Sequence, residues 1–217
     1  MILQKAQPVI LPALYAILDP EQIDTRSPES VLCQLLQGGA KIIQLRAKAM
    51  SSRDFLHLAQ RARELTTPYD CKLIVNDRID IALGSAADGV HLGQEDLPLK
   101  VGRKLLGDRL IGISTHTLEQ AKEAEANGAD YIGFGPIFGT ATKNTGYTAR
   151  GLEMLARTRA AVALPIVAIG GITEAKIQNV WQAGADSVAI ISDILRADEV
   201  AAKVSAILAR RWARVPP

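Results

Sequence analysis

The run Gln44-Leu45-Arg46-Ala47-Lys48 sets one amide and two cations two residues apart. Residues two apart on an extended chain share a face, so Gln44 and Arg46 point together and Lys48 continues the row. Such a face at the end of a buried strand is an anion site, because an unpaired buried cation is costly. Two further apolar runs end in carboxylates, at Asn76-Asp77 and at Gln94-Glu95-Asp96. If those runs are neighbouring strands, Asp77 and Asp96 reach a common point. Oxygen ligands without His or Cys favour Mg²⁺, which takes few protein ligands and keeps positions for water and phosphate. Each aspartate also reads as a helix cap, Asp77 for a helix over 78–83 and Asp96 for one entered at Leu97-Pro98. Spacing alone does not choose between ligand and cap.

The remaining candidates are hydroxyls, glycines and one lysine. Ser114 closes a strand pattern, where its hydroxyl can bond a ligand heteroatom. His116 reads as a packed or capping imidazole, and neither His91 nor His57 receives a function. The stretch 131–151 begins as an apolar strand and then breaks into a loop with Thr140, Thr142 and Lys143. So long a segment without regular structure in a compact domain points to binding. Gly170-Gly171 can expose backbone N–H groups to an anion, or can simply make a tight turn, and Ser192 adds a hydroxyl. Two anion regions follow. Arg46, Lys48, Lys143 and a possible metal carry enough positive charge for a diphosphate. Thr140, Thr142, Gly171 and Ser192 make a neutral region suited to a monophosphate. No Ser/His/Asp triad or nucleophile elbow is present.

Short β-rich runs at 14–19, 42–46, 72–77, 89–93, 110–115, 131–135, 166–171 and 187–192 alternate with helical patterns. Ser27-Pro28, Ser51 and the pair Thr117/Gln120 supply helix start signals. Eight strands alternating with helices predict a parallel (β/α)8 TIM barrel, one α/β domain over 1–217 with its site at the C-terminal strand ends. An internal repeat supports this. Gly-Gly-Ala-Lys (38–41), Ala-Ala-Asp-Gly (86–89) and Gly-Ala-Asp (128–130 and 184–186) each precede an even-numbered strand. The net charge of +2 argues against nucleic acid or a membrane surface as partner. No run is long and apolar enough to span a bilayer, and Pro12 and Asp19 spoil a signal-peptide reading of 8–18. Cys33 and Cys71 lack metal or C-x-x-C spacing, which fits reduced thiols in a cytoplasmic protein. The partners expected are small molecules, with a homo-oligomer left open.

With these residues in hand, the chain resembles the thiamine phosphate synthase family over nearly its whole length. The motifs that carry the resemblance are Gln44-Leu45-Arg46-x-Lys48, Asn76-Asp77-Arg78, Asp88-Gly89-Val90-His91-Leu92-Gly93-Gln94-x-Asp96, Gly112-Ile113-Ser114, Gly133-Phe134-Gly135-Pro136-Ile137-Phe138 with Thr140-x-Thr142-Lys143, and Ala168-Ile169-Gly170-Gly171-Ile172. That family joins a hydroxymethylpyrimidine diphosphate to a thiazole phosphate, with or without a carboxylate, by a dissociative route through a pyrimidine cation. The resemblance implies that Gln44, Arg46, Lys48, Asn76, Ser114 and Lys143 hold the pyrimidine diphosphate. It implies Asp77 and Asp96 as Mg²⁺ ligands, and Thr140, Thr142, Gly171, Ile191 and Ser192 as the thiazole phosphate site. Arg46, Lys48, Ser114 and Lys143 would be the catalytic set. Two residues depart from the family pattern. Ala47 replaces an acidic residue and should point away from the site, while Gly139 replaces proline and bears on loop ordering. The rivals are a thiazole tautomerase, which carries a histidine in the strand-six motif, a generic phosphosugar barrel enzyme and a non-catalytic barrel that binds thiazole phosphate. The charged residues at strands two, three and four argue against all of them.

Overall fold

The computed structural model of the chain describes residues 9–139 and 146–212. Eight parallel strands close a barrel in sequence order, each hydrogen-bonded to the next and β8 to β1. They are β1 (Leu14–Leu18), β2 (Ile42–Leu45), β3 (Lys72–Asn76), β4 (Gly89–Leu92), β5 (Leu110–Thr115), β6 (Tyr131–Phe134), β7 (Ile166–Ile169) and β8 (Ser187–Ile190). Seven of the eight stop one or two residues before the expected ends. The residues left over, from Asp19 to Ser192, form the loops that carry the site.

The helices are α1 (Pro28–Gln37), α2 (Ser52–Thr66), α3 (Ile79–Gly84), α4 (Leu99–Leu106), α5 (Leu118–Ala126), α6 (Gly151–Ala161), α7 (Ile177–Gln182), α8 (Ser192–Leu195) and α9 (Val200–Trp212). The expected caps are present. Ser27 Oγ accepts from Ser30 N, Ser51 Oγ from Asp54 N and Thr117 Oγ1 from Gln120 N. The return bond of a capping box is displaced by one residue, since Gln120 Oε1 accepts from His116 N at 2.7 Å. No described helix is long and apolar enough to cross a membrane.

The repeat before the even strands is a structural device. Asp88, Asp130 and Asp186 accept from the backbone N–H of Leu73, Ile111 and Ile166 at 2.8, 2.7 and 2.8 Å. Each carboxylate also pairs with an arginine from the helix two strands earlier in the chain, Arg63, Arg103 and Arg159 respectively. One carboxylate thus ties the start of two strands to the helix that covers them. The first repeat carries Lys41 instead, whose Nζ donates to Tyr69 O.

Alternation along the strands divides the side chains into two sets. Leu14, Ala16, Leu18, Ile43, Leu45, Leu73 and Val75 face the helices in one large core. Tyr15, Ile17, Ile42, Ile74, Tyr131, Val167 and Ala189 fill the barrel. The inward positions nearest the C-terminal ends are Gln44, Asn76, His91, Ser114, Ile169 and Ile191, and these open onto a cavity.

If Asp130 is a structural clamp, Asp130→Ala costs about 2–3 kcal/mol, because a backbone N–H and a guanidinium lose their partner together. A thermal melt should register a loss of roughly 4–12 °C. Lys41→Ala, at the matching place in the first repeat, should cost under about 0.5 kcal/mol.

Candidate active site

The cavity at the C-terminal end of the barrel measures about 150 Å³ and is lined by Tyr15, Gln44, Arg46, Asn76, His91, Ser114, Val167, Gly171, Ile191 and Ser192, among others. A dry cavity of roughly that size accepts a single aromatic ring. Its floor is polar although it lies inside the barrel. Gln44 Nε2 donates to Tyr15 Oη at 3.0 Å, and Tyr15 Oη lies 2.8 Å from Tyr131 Oη. His91 continues the row, with Nδ1 3.3 Å from Tyr131 Oη and Nε2 3.0 Å from Ser114 Oγ. Two glycines of the sequence motifs make room for these rings. A Cβ on Gly112 would sit 2.2 Å from the Tyr131 ring, and one on Gly133 would sit 3.0 Å from His91 Cε1. Burial pushes the ionisation of both phenols upward, so each keeps its proton at neutral pH.

Arg46 turns toward the cavity under the control of Asp19. Its guanidinium makes a close ion pair with the Asp19 carboxylate, which is fully buried at the end of β1. Asp19 also caps the short turn that begins at Pro20, accepting from Glu21 N at 3.1 Å. The half-exposed Glu21 carboxylate stands farther off, 4.0 Å from the same guanidinium, and the cation keeps further N–H groups for an anion. Ala47 is buried in the outer core, away from the cavity, as its place in the alternation requires.

Neither aspartate is a helix cap. α3 begins at Ile79 behind Arg78 and α4 at Leu99 behind Pro98, and neither start has a side-chain cap bond. Asp77 takes a left-handed backbone (φ 62°), held by its N–H on His91 O at 2.8 Å. That conformation is rare outside glycine, and strain of this kind gathers at functional sites. Lys48 Nζ pairs with Asp77 Oδ2 at 3.0 Å. Asp96 Oδ2 accepts from Gly93 N at 2.6 Å. Burial raises the Asp96 carboxyl above the ordinary aspartate range, and the neighbouring Asp77 carboxylate raises it further. Two carboxylates crowded together with like charge suit a hard divalent cation. Among the described residues no group of three or more His, Cys, Asp or Glu gathers at one point. A metal here would keep most of its positions for water and substrate. Lys48, Asp77 and Asp96 stand beside the cavity rather than in its lining.

At the β7 and β8 ends, Gly170 and Gly171 both take positive φ (101° and 60°), and Gly171, Ile191 and Ser192 line the cavity. Thr140, Thr142 and Lys143 lie outside the described residues. Both flanks of their segment are tied together, by Arg150 N on Pro136 O (2.7 Å) and Gly151 N on Ile137 O (3.0 Å). His116, expected as a packed or capping imidazole, lines the cavity on the β5 side. Its Nδ1 bonds Gly135 O at 2.6 Å, and its ring stacks on Tyr147 at 4.1 Å. The Arg150 guanidinium covers the Tyr147 ring.

Sequence reasoning passed over Asp19, Tyr15, Tyr131 and His91. It also passed over Lys176, whose Nζ donates to Gly171 O at 3.2 Å and brings a cation to the β7 loop. Strand alternation puts Tyr15 and Tyr131 on the same inward face as Gln44 and Ser114, and that was the one available signal.

A closed (β/α)8 barrel with cations, paired carboxylates and a glycine turn at its C-terminal mouth has the features of the barrel enzymes that act on phosphorylated substrates. The family model described as thiamine monophosphate synthase matches residues 14–194, and the chain belongs to that family. A thiamine-phosphate synthase of Chloroflexus aurantiacus is 44% identical over 189 residues, covering 87% of this chain and 88% of that protein. One from Shouchella clausii is 46% identical over 197 residues, covering 90% and 94%. The solved thiamine phosphate pyrophosphorylase of Pyrococcus furiosus superposes with a TM-score of 0.84 at 34% identity, covering 91% of this chain and 96% of that one. A 3-hexulose-6-phosphate synthase structure, at 17% identity and a TM-score of 0.69, shares the fold alone. By its family the chain is a transferase of thiamine biosynthesis.

The crowding of Asp77 and Asp96 has a measurable cost. An acid whose pKa is raised by folding binds protons more readily folded than unfolded, so stability falls as pH rises through that pKa. At neutral pH, with no divalent cation present, Asp96→Asn should raise Tm by about 1–3 °C, since such like-charge contacts are worth under about 1 kcal/mol. The gain should vanish on the acid side of the Asp96 pKa. A fall in Tm at neutral pH would mean that the Gly93 bond outweighs the repulsion.

Proposed function

We propose that the chain condenses hydroxymethylpyrimidine diphosphate with the phosphoethyl thiazole, or its carboxylated form, to thiamine phosphate and diphosphate. The observation that carries this reading is the convergence of Gln44, Arg46, Asn76 and Ser114 on a cavity sized for one ring. Lys48, Asp77 and Asp96 stand at its edge. The reading takes the whole chain, 1–217, as one barrel domain working at the C-terminal strand ends. Free thiols at Cys33 and Cys71 fit a cytoplasmic setting.

The chemistry asks little of acid–base catalysis. The bond from the pyrimidine methylene carbon to the diphosphate oxygen breaks with its electron pair going to diphosphate. The thiazole nitrogen lone pair then closes a C–N bond on the resulting cation. Arg46, Lys48 and Lys143 stabilise the departing charge, and Asp19 keeps Arg46 aimed at it. Gln44, Asn76 and Ser114 orient the pyrimidine. Thr140, Thr142, Gly171, Ile191 and Ser192 hold the thiazole phosphate, with Lys176 close by. Asp77 and Asp96 would hold Mg²⁺, which supplies positive charge to the diphosphate. Ile17, Val167, Ile169 and Ala189 line the cavity with apolar surface, which keeps water from the cation.

Purified protein given both substrates and Mg²⁺ should form thiamine phosphate, read as fluorescent thiochrome after oxidation, and EDTA should abolish it. No product, with thiazole phosphate binding still seen by calorimetry, would favour a thiazole tautomerase or a silent binding barrel. Thr142→Val tests the division of the site. It should raise KM for thiazole phosphate about tenfold and leave that for the pyrimidine within about twofold, as loss of one hydrogen bond predicts. Equal losses would show the pocket divided wrongly.

A further inference from the structure

The row of polar side chains under the cavity has a direction. Gln44 Nε2 faces Tyr15, so the amide donates and the Tyr15 oxygen accepts. Among the described residues the other hydrogen-bond partner of Tyr15 Oη is Tyr131 Oη at 2.8 Å, so the Tyr15 proton goes there. Tyr131 Oη is then an acceptor from Tyr15, and its own proton has His91 Nδ1 to meet. A neutral imidazole that accepts at Nδ1 carries its proton on Nε2. That nitrogen lies 3.0 Å from Ser114 Oγ and donates to it.

We propose that Tyr131 is a positioning residue that fixes His91 as the Nε2–H tautomer and so turns the Ser114 hydroxyl proton toward the cavity. The floor then offers a ring one donor, Ser114 O–H on the β5 side, and one acceptor, Gln44 Oε1 on the β2 side. That pair matches a heteroaromatic ring with an unprotonated ring nitrogen and an amino group, and disfavours one whose donor and acceptor are exchanged. This specificity rests on the reading of the cavity as a pyrimidine site; the tautomer does not.

Three observations support a built arrangement. Tyr15 and Tyr131 are fully buried and their rings lie 5.8 Å apart, so neither hydroxyl has bulk water as an alternative partner. Burial keeps both phenols protonated, so the row holds hydroxyls and no phenolate. Gly112 and Gly133 leave the space that the Tyr131 and His91 rings occupy. Reversal of the row is the alternative that pairs the same groups. It requires the Gln44 amide turned over and the His91 proton on Nδ1.

The test is ¹⁵N NMR of histidine-labelled protein without substrates, at a pH well above the ordinary imidazole pKa of about 6.5. His91→Asn identifies the His91 signals against those of His57 and His116. The Nε2–H tautomer is expected, and it is scrambled by Tyr131→Phe, which removes the hydroxyl facing Nδ1, and by Tyr15→Phe, which removes the proton that commits that hydroxyl to donating, with both variants melting cooperatively. In the synthesis assay Tyr131→Phe should raise KM for the pyrimidine diphosphate about five- to tenfold and leave that for thiazole phosphate within about twofold. A wild-type Nδ1–H tautomer, an unchanged tautomer in Tyr131→Phe, or equal KM losses for both substrates would overturn the proposal. The tautomer is read without turnover, so a protein that makes no thiamine phosphate still tests the row. A protein that makes it with the tautomer reversed overturns this inference alone.

Discussion

A closed barrel of eight strands has no edge, and every second side chain of each strand must fit inside it. The rest of this molecule depends on that constraint. Toward the N-terminal end the interior is filled by Ile42, Ile74 and the two tyrosine rings, and near the mouth it opens into a cavity. Tyr131 and His91 could not both lie inside unless neighbouring strands gave up their side chains. Gly112 and Gly133 do so, and the rings that take their space carry the hydroxyl and imidazole groups beneath the site.

Charge at the mouth is arranged in the opposite way to charge at the base. At the base, Asp88, Asp130 and Asp186 are each satisfied by an arginine and a backbone N–H, which closes the account of their charge and locks strand to helix. At the mouth, Arg46 has one buried carboxylate, Lys48 pairs with Asp77, and Asp77 and Asp96 crowd one another. Residual charge of this kind destabilises the free protein and suits an arriving phosphate or cation. The barrel thus separates stability from function along its axis.

The eight strands, the helix caps at Ser27, Ser51 and Thr117 and the repeat were legible because each depends on neighbours in the chain. The cavity residues Gln44, Arg46, Asn76 and Ser114 were legible for a related reason. They sit at inward positions of strands whose alternation is plain, and their polarity stands out against apolar surroundings. Asp19 was not legible. It closes an apolar run like an ordinary strand end, and its role appears only because Arg46, from the neighbouring strand, reaches it. The cap reading of Asp77 and Asp96 failed because the helices begin later, behind Arg78 and Pro98.

The sequence by itself determined the periodicities, and with them the barrel, its inward and outward faces and the strand ends where polar residues collect. It also carried the motifs that tie the chain to its family. Only the tertiary structure decided which polar groups meet. Tyr15 and Tyr131 stand 116 residues apart, and their 2.8 Å contact exists because closure brings β1 and β6 to face each other across the interior. Local pattern records how a residue is presented, to core or to site. Partnership across a barrel depends on register and closure, which the whole sheet sets at once.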